Sequence, residues 1–243
     1  MGLCSYSSLS LIHIYIAAAL VLGHVEAACG KFGAARGQLL RAGGVPVSYT
    51  HLIEGGGRLF ACAPTGVGKT ISTLFPAAKA LGEGKAERIF YLTAKTVTRT
   101  AAEGAVALLR ESQPGLCFKC VTLTAKDKAC PLEERQCTPQ HCPRAKGYYD
   151  RVNDALYRFL NAHSHFTREA IAAFCEAEAL CPFEFTLDLS LFCDCIICDY
   201  NYLFDPVVSL KRFFDGTKGG HIKSILLSVR GSSIPSTGEM RFC

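Results

Sequence analysis

The chain has 243 residues, 49% of them hydrophobic, enough to bury a sizeable core in one or two domains, which excludes a largely disordered protein. Its formal charge of +5 permits a polyanionic partner without requiring one. The fourteen cysteines stand out most, and their meaning depends on the motifs around them.

Residues 1–57 carry little pattern. Residues 11–25 are apolar with His13 and His24 among them, and Val25-Glu26-Ala27-Ala28-Cys29 has the small residues of a cleavage site. Residues 1–10 lack the Lys or Arg of a secretory leader, and the apolar run is shorter than the roughly 18 residues of a membrane span. The segment reads first as non-native or poorly specified sequence, next as a buried helix, and last as a signal. No membrane partner and a cytoplasmic location are expected.

Regular pattern begins at Arg58. Residues 58–62 are strand-like and lead into Ala63-Pro64-Thr65-Gly66-Val67-Gly68-Lys69-Thr70, after which residues 69–81 are helical, with Pro76 inside and Gly82 and Gly84 at the end. A glycine-rich turn between strand and helix lets successive N–H groups face one anion, and the helix start adds its positive end. This predicts a phosphate-binding loop over residues 63–70, with Lys69 reaching the β- and γ-phosphates of ATP and Thr70 on Mg2+. Ala63 stands where the usual pattern has Gly. An ordinary Gly-rich turn is the plainer alternative.

Residues 88–93 have the β-branched and aromatic content of a second buried strand, and residues 97–110 read as a helix. Strand, helix, strand, helix implies a parallel sheet covered by helices. Beside such a site the cysteines read as including metal ligands in a reducing compartment rather than as disulfides.

Cys117 and Cys120 are followed by Cys130, Cys137 and Cys142, with Pro131, Pro139 and Pro143 breaking regular structure between them. Such a loop suits wrapping around a metal centre. Helical pattern returns over residues 148–160 and 167–179, and Cys181-Pro182-Phe183-Glu184 adds a thiol where the second helix ends. Residues 192–200 suit another strand, with Cys193, Cys195 and Cys198 as small core residues and alternation placing Cys193 and Cys195 on one face. Asp205-Pro206 is a helix-start signal for a helix including Val207, Leu210 and Phe214. Residues 222–227 read as a further strand, and residues 228–243 lose all pattern.

From about Arg58 to Phe214 the chain resembles the XPD/DinG-type iron–sulfur DNA helicases of superfamily 2. The phosphate loop, Tyr91-Leu92-Thr93-Ala94-Lys95-Thr96, the cysteine segment with Cys181-Pro182-Phe183-Glu184, and residues 198–206 together carry the resemblance. It implies an α/β fold: a P-loop RecA-like parallel sheet flanked by helices, with an inserted, mainly helical iron–sulfur domain. The division is 1–57 (poorly specified), 58–114 (first part of the motor domain), 115–185 (iron–sulfur domain), 186–220 (motor domain continued) and 221–243 (an unpatterned, frameshifted tail). Lys69 and Thr70 take the catalytic ATP and Mg2+ roles. Thr93, Lys95 and Thr96 match the motif that touches the backbone of single-stranded DNA, with helix capping the alternative for the threonines.

Cys130, Cys137, Cys142 and Cys181 match the ligands of a 4Fe-4S cluster, leaving Cys117 and Cys120 outside the set. A zinc site is the local rival, since four thiolates also suit Zn2+. Intervals of six, four and thirty-eight residues favour the cluster over the paired spacing of zinc ribbons. Lys126, Lys128, Arg144 and Lys146 around the ligands offer a positive path for DNA phosphates. The implied activity is ATP-dependent 5′→3′ unwinding of single-stranded or forked DNA in repair; the alternative is a non-catalytic nucleic-acid-binding or redox-sensing protein.

The family's Asp-Glu-Ala-His motif is absent from these 243 residues. A truncation or reading-frame error near His221 is therefore expected, and with it an inability to turn ATP over. Gln38 is the weak candidate for reading adenine.

Overall fold

The computed structural model describes residues 53, 68–113, 115–132, 136–205, 210, 213 and 224–228. The strand read at 58–62, loop residues 63–67, Gln38, and most of the helix read from Pro206 lie outside them.

The first described helix, α1, spans Lys69–Gly82, running through Pro76 and burying Leu74, Ala77, Ala78 and Ala80. Gly84, at φ 69°, turns the chain back so that the Lys85 N–H donates to the Ala80 carbonyl at 2.9 Å. Strand β1, Arg88–Thr93, follows and is buried at every position after Arg88. Helix α2, Thr96–Ser112, buries Ala102, Ala105, Val106 and Leu109 along one stripe. Next come β2, Cys120–Thr122, and the short α3, Lys126–Ala129. Three helices follow: α4, Tyr148–Ala162; α5, Arg168–Ala177; and α6, Pro182–Leu189. Strand β3, Cys195–Asp199, the single turn α7, Asn201–Phe204, and β4, Ser224–Ser228, complete the order.

The four strands are parallel in the order β2-β3-β1-β4. Ile89 pairs with Cys195 on one side and Ile225 on the other, and Cys120 also pairs with Cys195. Because side chains alternate along a strand, the sheet separates two cores. Ile89, Tyr91, Cys195, Ile197, Ile225 and Leu227 pack with α1 and α2. Phe90, Leu92, Val121, Ile196 and Cys198 pack with α4, α5 and α6. Phe159 of α4 is the hub of this second core, with ring centroids of Phe174 at 5.0 Å, Phe185 at 5.4 Å and Phe166 at 5.5 Å.

The doubly covered parallel sheet agrees with the α/β expectation. Its second core departs from the expected division, because the helices read as a separate domain share that core with the sheet. A boundary at residue 115 crosses the sheet, since β2 lies inside the span 115–185. A boundary at 221 likewise sets β4 apart from the sheet in which it pairs with β1.

Cys193 and Cys195 do not share a face. The strand begins at Cys195, so alternation does not reach Cys193, which joins the second core while Cys195 joins the first. Cys193, Cys195 and Cys198 are all buried, as core residues should be. Among the described residues, no helix is long and apolar enough to cross a membrane.

Candidate nucleotide and nucleic-acid site

Helix α1 starts in the manner of an anion site. Its N-cap is Gly68 at φ 77° and ψ 28°, a left-handed conformation that favours glycine, and the glycine has no side chain with which to cap the first turn. No acidic residue lies in that turn to offset the positive helix end from within the helix. The hydroxyls of Ser72 and Thr73 turn inward: Ser72 Oγ donates to the Gly68 carbonyl at 3.0 Å and Thr73 Oγ1 to the Lys69 carbonyl at 3.1 Å. Lys69 and Thr70 remain half-buried at the end of the helix.

Behind Thr70 stands Tyr91 of β1, fully buried. Burial pushes its phenol up to about 12; Thr70 acts against this, while Cys195 and Tyr200 add to it. The Tyr200 hydroxyl in turn bonds that of Ser228, joining the start of α7 to β4. Sequence reasoning placed Tyr91 in a buried strand and at the head of the Tyr91–Thr96 motif but gave it no role of its own; its long polar side chain was the available signal.

The three residues read as touching a nucleic-acid backbone have different surroundings. Thr93 is 1% exposed, and its hydroxyl donates to the Cys198 carbonyl at 3.4 Å, inside the sheet. Lys95 and Thr96 are exposed at the start of α2, where the N-cap Lys95 makes no side-chain capping bond and the first turn again lacks acids. From Thr96 a groove of about 550 Å³ passes Arg99, Thr100 and Thr122 to reach Thr167 and Arg168. Arg99 Nε lies buried there without a hydrogen-bond partner, and Thr122 Oγ1 donates to Glu103 at 2.7 Å.

The cysteines are only partly gathered. Lys126 Nζ sits 3.4 Å from Glu184 Oε1 and 5.3 Å from the Phe183 ring centroid. Burial works to lower its pKa, but Glu184 and Cys137 outweigh it and hold the ammonium above its usual value. Cys181 is the N-cap of α6, with Pro182 in the first turn, a start signal that the sequence reading did not use. Burial raises the Cys181 thiol, opposed by the N–H groups of Glu184 and Phe183 and by Lys126. Cys130 closes α3, and Cys142 is buried between the Thr138 turn and Ala145. Among the described residues, no group of three or more His, Cys, Asp or Glu side chains is placed to hold a metal.

Arg144, read as part of a positive path, is instead a strut. Its guanidinium donates to the carbonyls of Cys175 at 3.1 Å and Leu180 at 2.9 Å and pairs with Glu176.

Residues 105–215 match the family model DEAD_2, so this span, less than half of the chain, is similar to the XPD-like helicase family. No curated protein gives a match. The matched span holds the cysteine segment, α4 to α6 and β3; the phosphate loop and Thr93 to Thr96 precede it, so their reading rests on their own residues and geometry.

Proposed function

We propose that the chain carries the ATP-binding part of a helicase-type, nucleic-acid-dependent ATPase. The observation that carries this is the start of α1, where a glycine N-cap, Gly68 in the left-handed conformation, is followed by Lys69 and Thr70 with no acid in the first turn. A helix start of this kind presents N–H groups to a polyphosphate, with a lysine that can reach its phosphates and a threonine for its metal. The parallel sheet and the DEAD_2 match over residues 105–215 support the helicase class over a kinase or a transporter ATPase.

In this reading Lys69 binds the β- and γ-phosphates of ATP, and Thr70 places its hydroxyl on Mg2+, which neutralises phosphate charge when bound. Lys95 and Thr96 hold the backbone of a single strand of DNA at the mouth of the groove. The cytoplasmic location, the 5′→3′ direction and the repair setting come from the resemblance alone. Cys130, Cys137, Cys142 and Cys181 are proposed as the ligands of a 4Fe-4S cluster on their spacing, with Cys137 and Cys181 both beside Lys126.

A fluorescent ATP analogue titrated into the purified 243-residue chain tests the reading. Binding that depends on Mg2+ and is lost in Lys69→Ala is expected, without turnover because the Asp-Glu-Ala-His motif is absent from the sequence. A chain that binds the analogue equally well after Lys69→Ala overturns it.

A further inference from the structure

Tyr91 lies in the middle of β1 with none of its surface exposed, in the core shared with α1 and α2. Buried phenols nearly always find a hydrogen-bond partner, yet Tyr91 Oη has none. Thr70, the second residue of α1, is the side chain whose hydroxyl bears on the phenol with hydrogen-bonding character, but the pair falls short of hydrogen-bond geometry. Thr70 is itself half-buried, at the boundary between this core and the helix start. A phenol pushed up to about 12 keeps its proton at neutral pH, which leaves Oη uncharged and able to accept a hydrogen bond.

An orphaned polar atom in a dry core is a cost that a neighbouring contact can remove. Core packing alone gives no reason for an oxygen here, because phenylalanine would fill the same space beside Leu74 and Val106 without one.

We infer that Tyr91 is a positioning residue for Thr70: its Oη accepts the Thr70 hydroxyl proton and so holds the lone pairs of Thr70 Oγ1 toward the metal of a bound nucleotide. This rests on the nucleotide-site reading above. A cation on Oγ1 draws electron density from the hydroxyl and makes it a stronger donor. The bond to Tyr91 therefore closes as the metal is held, and the proton stays on Thr70 throughout. Hydroxyl direction at Thr70 is thus set from the sheet.

The test is titration of fluorescent ADP into the full chain with Mg2+ and with EDTA. The wild type gains affinity from Mg2+. Tyr91→Phe, which keeps the ring, loses about five- to tenfold of that gain while its metal-free affinity stays at the wild-type value and its melting temperature without metal does not fall, since the substitution removes an unpartnered buried oxygen. Thr70→Ala loses the gain as well, and adding Tyr91→Phe to it costs nothing more, because the phenol acts through Thr70. Thr70→Ser, which restores a hydroxyl, restores the dependence on Tyr91. A full Mg2+ gain in Tyr91→Phe, equal weakening with and without metal, or additivity with Thr70→Ala overturns the inference and leaves the ATP site standing. A wild-type chain with no affinity for ADP overturns the ATP-site reading itself, and this inference with it.

Discussion

Arg144 Nη1 donates to the carbonyl of Leu180 at 2.9 Å, which fastens the loop after Cys142 to the residue before Cys181. The same nitrogen reaches the Cys175 carbonyl at 3.1 Å, and the Arg144 side chain is only 11% exposed. Replacing it leaves two carbonyls short of a charged donor. Arg144→Met should therefore lower stability by about 2–3 kcal/mol in urea unfolding. Glu176 is 70% exposed, so Glu176→Ala should stay within about 0.5 kcal/mol despite the ion pair. Equal losses in the two variants would make the ion pair, rather than the carbonyl bonds, the important contact.

Ala179 follows α5 at φ 51°, the left-handed conformation that glycine usually supplies at a helix end. The turn is held because the Leu180 N–H donates to the Cys175 carbonyl at 2.9 Å. Ala179→Gly should relieve the strain and raise stability by about 0.5–1 kcal/mol, read as an upward shift in urea midpoint at unchanged m-value. A lower midpoint would refute it.

Thr93, Lys95 and Thr96 should separate in a single-strand binding assay. Lys95→Ala should weaken binding of a DNA oligonucleotide and reduce the slope of log affinity against log salt by about 0.7, the effect of one lost phosphate contact on a single strand. Thr96→Ala should weaken binding without changing that slope. Thr93→Val should leave affinity unchanged, because the Thr93 hydroxyl is engaged with the Cys198 carbonyl. A salt slope unaffected by Lys95→Ala would remove that residue from the interface.

Asp194 Oδ2 accepts the Lys119 N–H at 2.7 Å, and the Asp194 N–H donates back to the Lys119 carbonyl at 2.8 Å. Burial lifts the Asp194 carboxyl above its ordinary value of 3.8, against the lowering by the Lys119 N–H and by Lys119, Arg88 and Arg110. The folded chain thus binds the proton more tightly than the unfolded chain. Stability should fall as pH rises from the unfolded value through the folded one, with the whole penalty present above it. Asp194→Asn keeps an acceptor for Lys119 and should flatten that part of the pH–stability curve; parallel curves for the two proteins would assign the slope elsewhere.

The cysteine assignment is checked by metal analysis of anaerobically purified chain. About four iron atoms per chain with visible absorption are expected, lost in Cys130→Ser, Cys137→Ser, Cys142→Ser and Cys181→Ser and kept in Cys117→Ser. Colourless protein carrying zinc would favour the rival centre. In iron-loaded protein the exposed Cys117 should react with alkylating reagents, whereas the exposed Cys137 should be protected; Cys195 and Cys198 should stay silent in either case because they are buried.

Much of the chain was legible because its signals are local. The helix read over 69–81 is Lys69–Gly82, the strand read over 88–93 is Arg88–Thr93, and the helix read over 148–160 is Tyr148–Ala162. Each has a full run of periodic apolar residues and its own stop signal. Strand β2 escaped because three residues carry no period, and α6 because Cys181-Pro182-Phe183-Glu184 was read only for its thiol at the end of the preceding helix, with no use made of Pro182 as a first-turn proline.

By itself, the sequence determined where an anion could bind, since glycine at position 68 with Lys69 and Thr70 behind it is a local pattern tied to a helix start. Only the tertiary structure decided which polar side chains are engaged. Thr93 and Arg144 are spent on backbone carbonyls distant in sequence, while Tyr91 is brought beside Thr70 with its oxygen unpartnered. The physical reason is that a hydrogen bond depends on positions set by strand pairing and core packing, and neither is encoded within the few residues that make a motif.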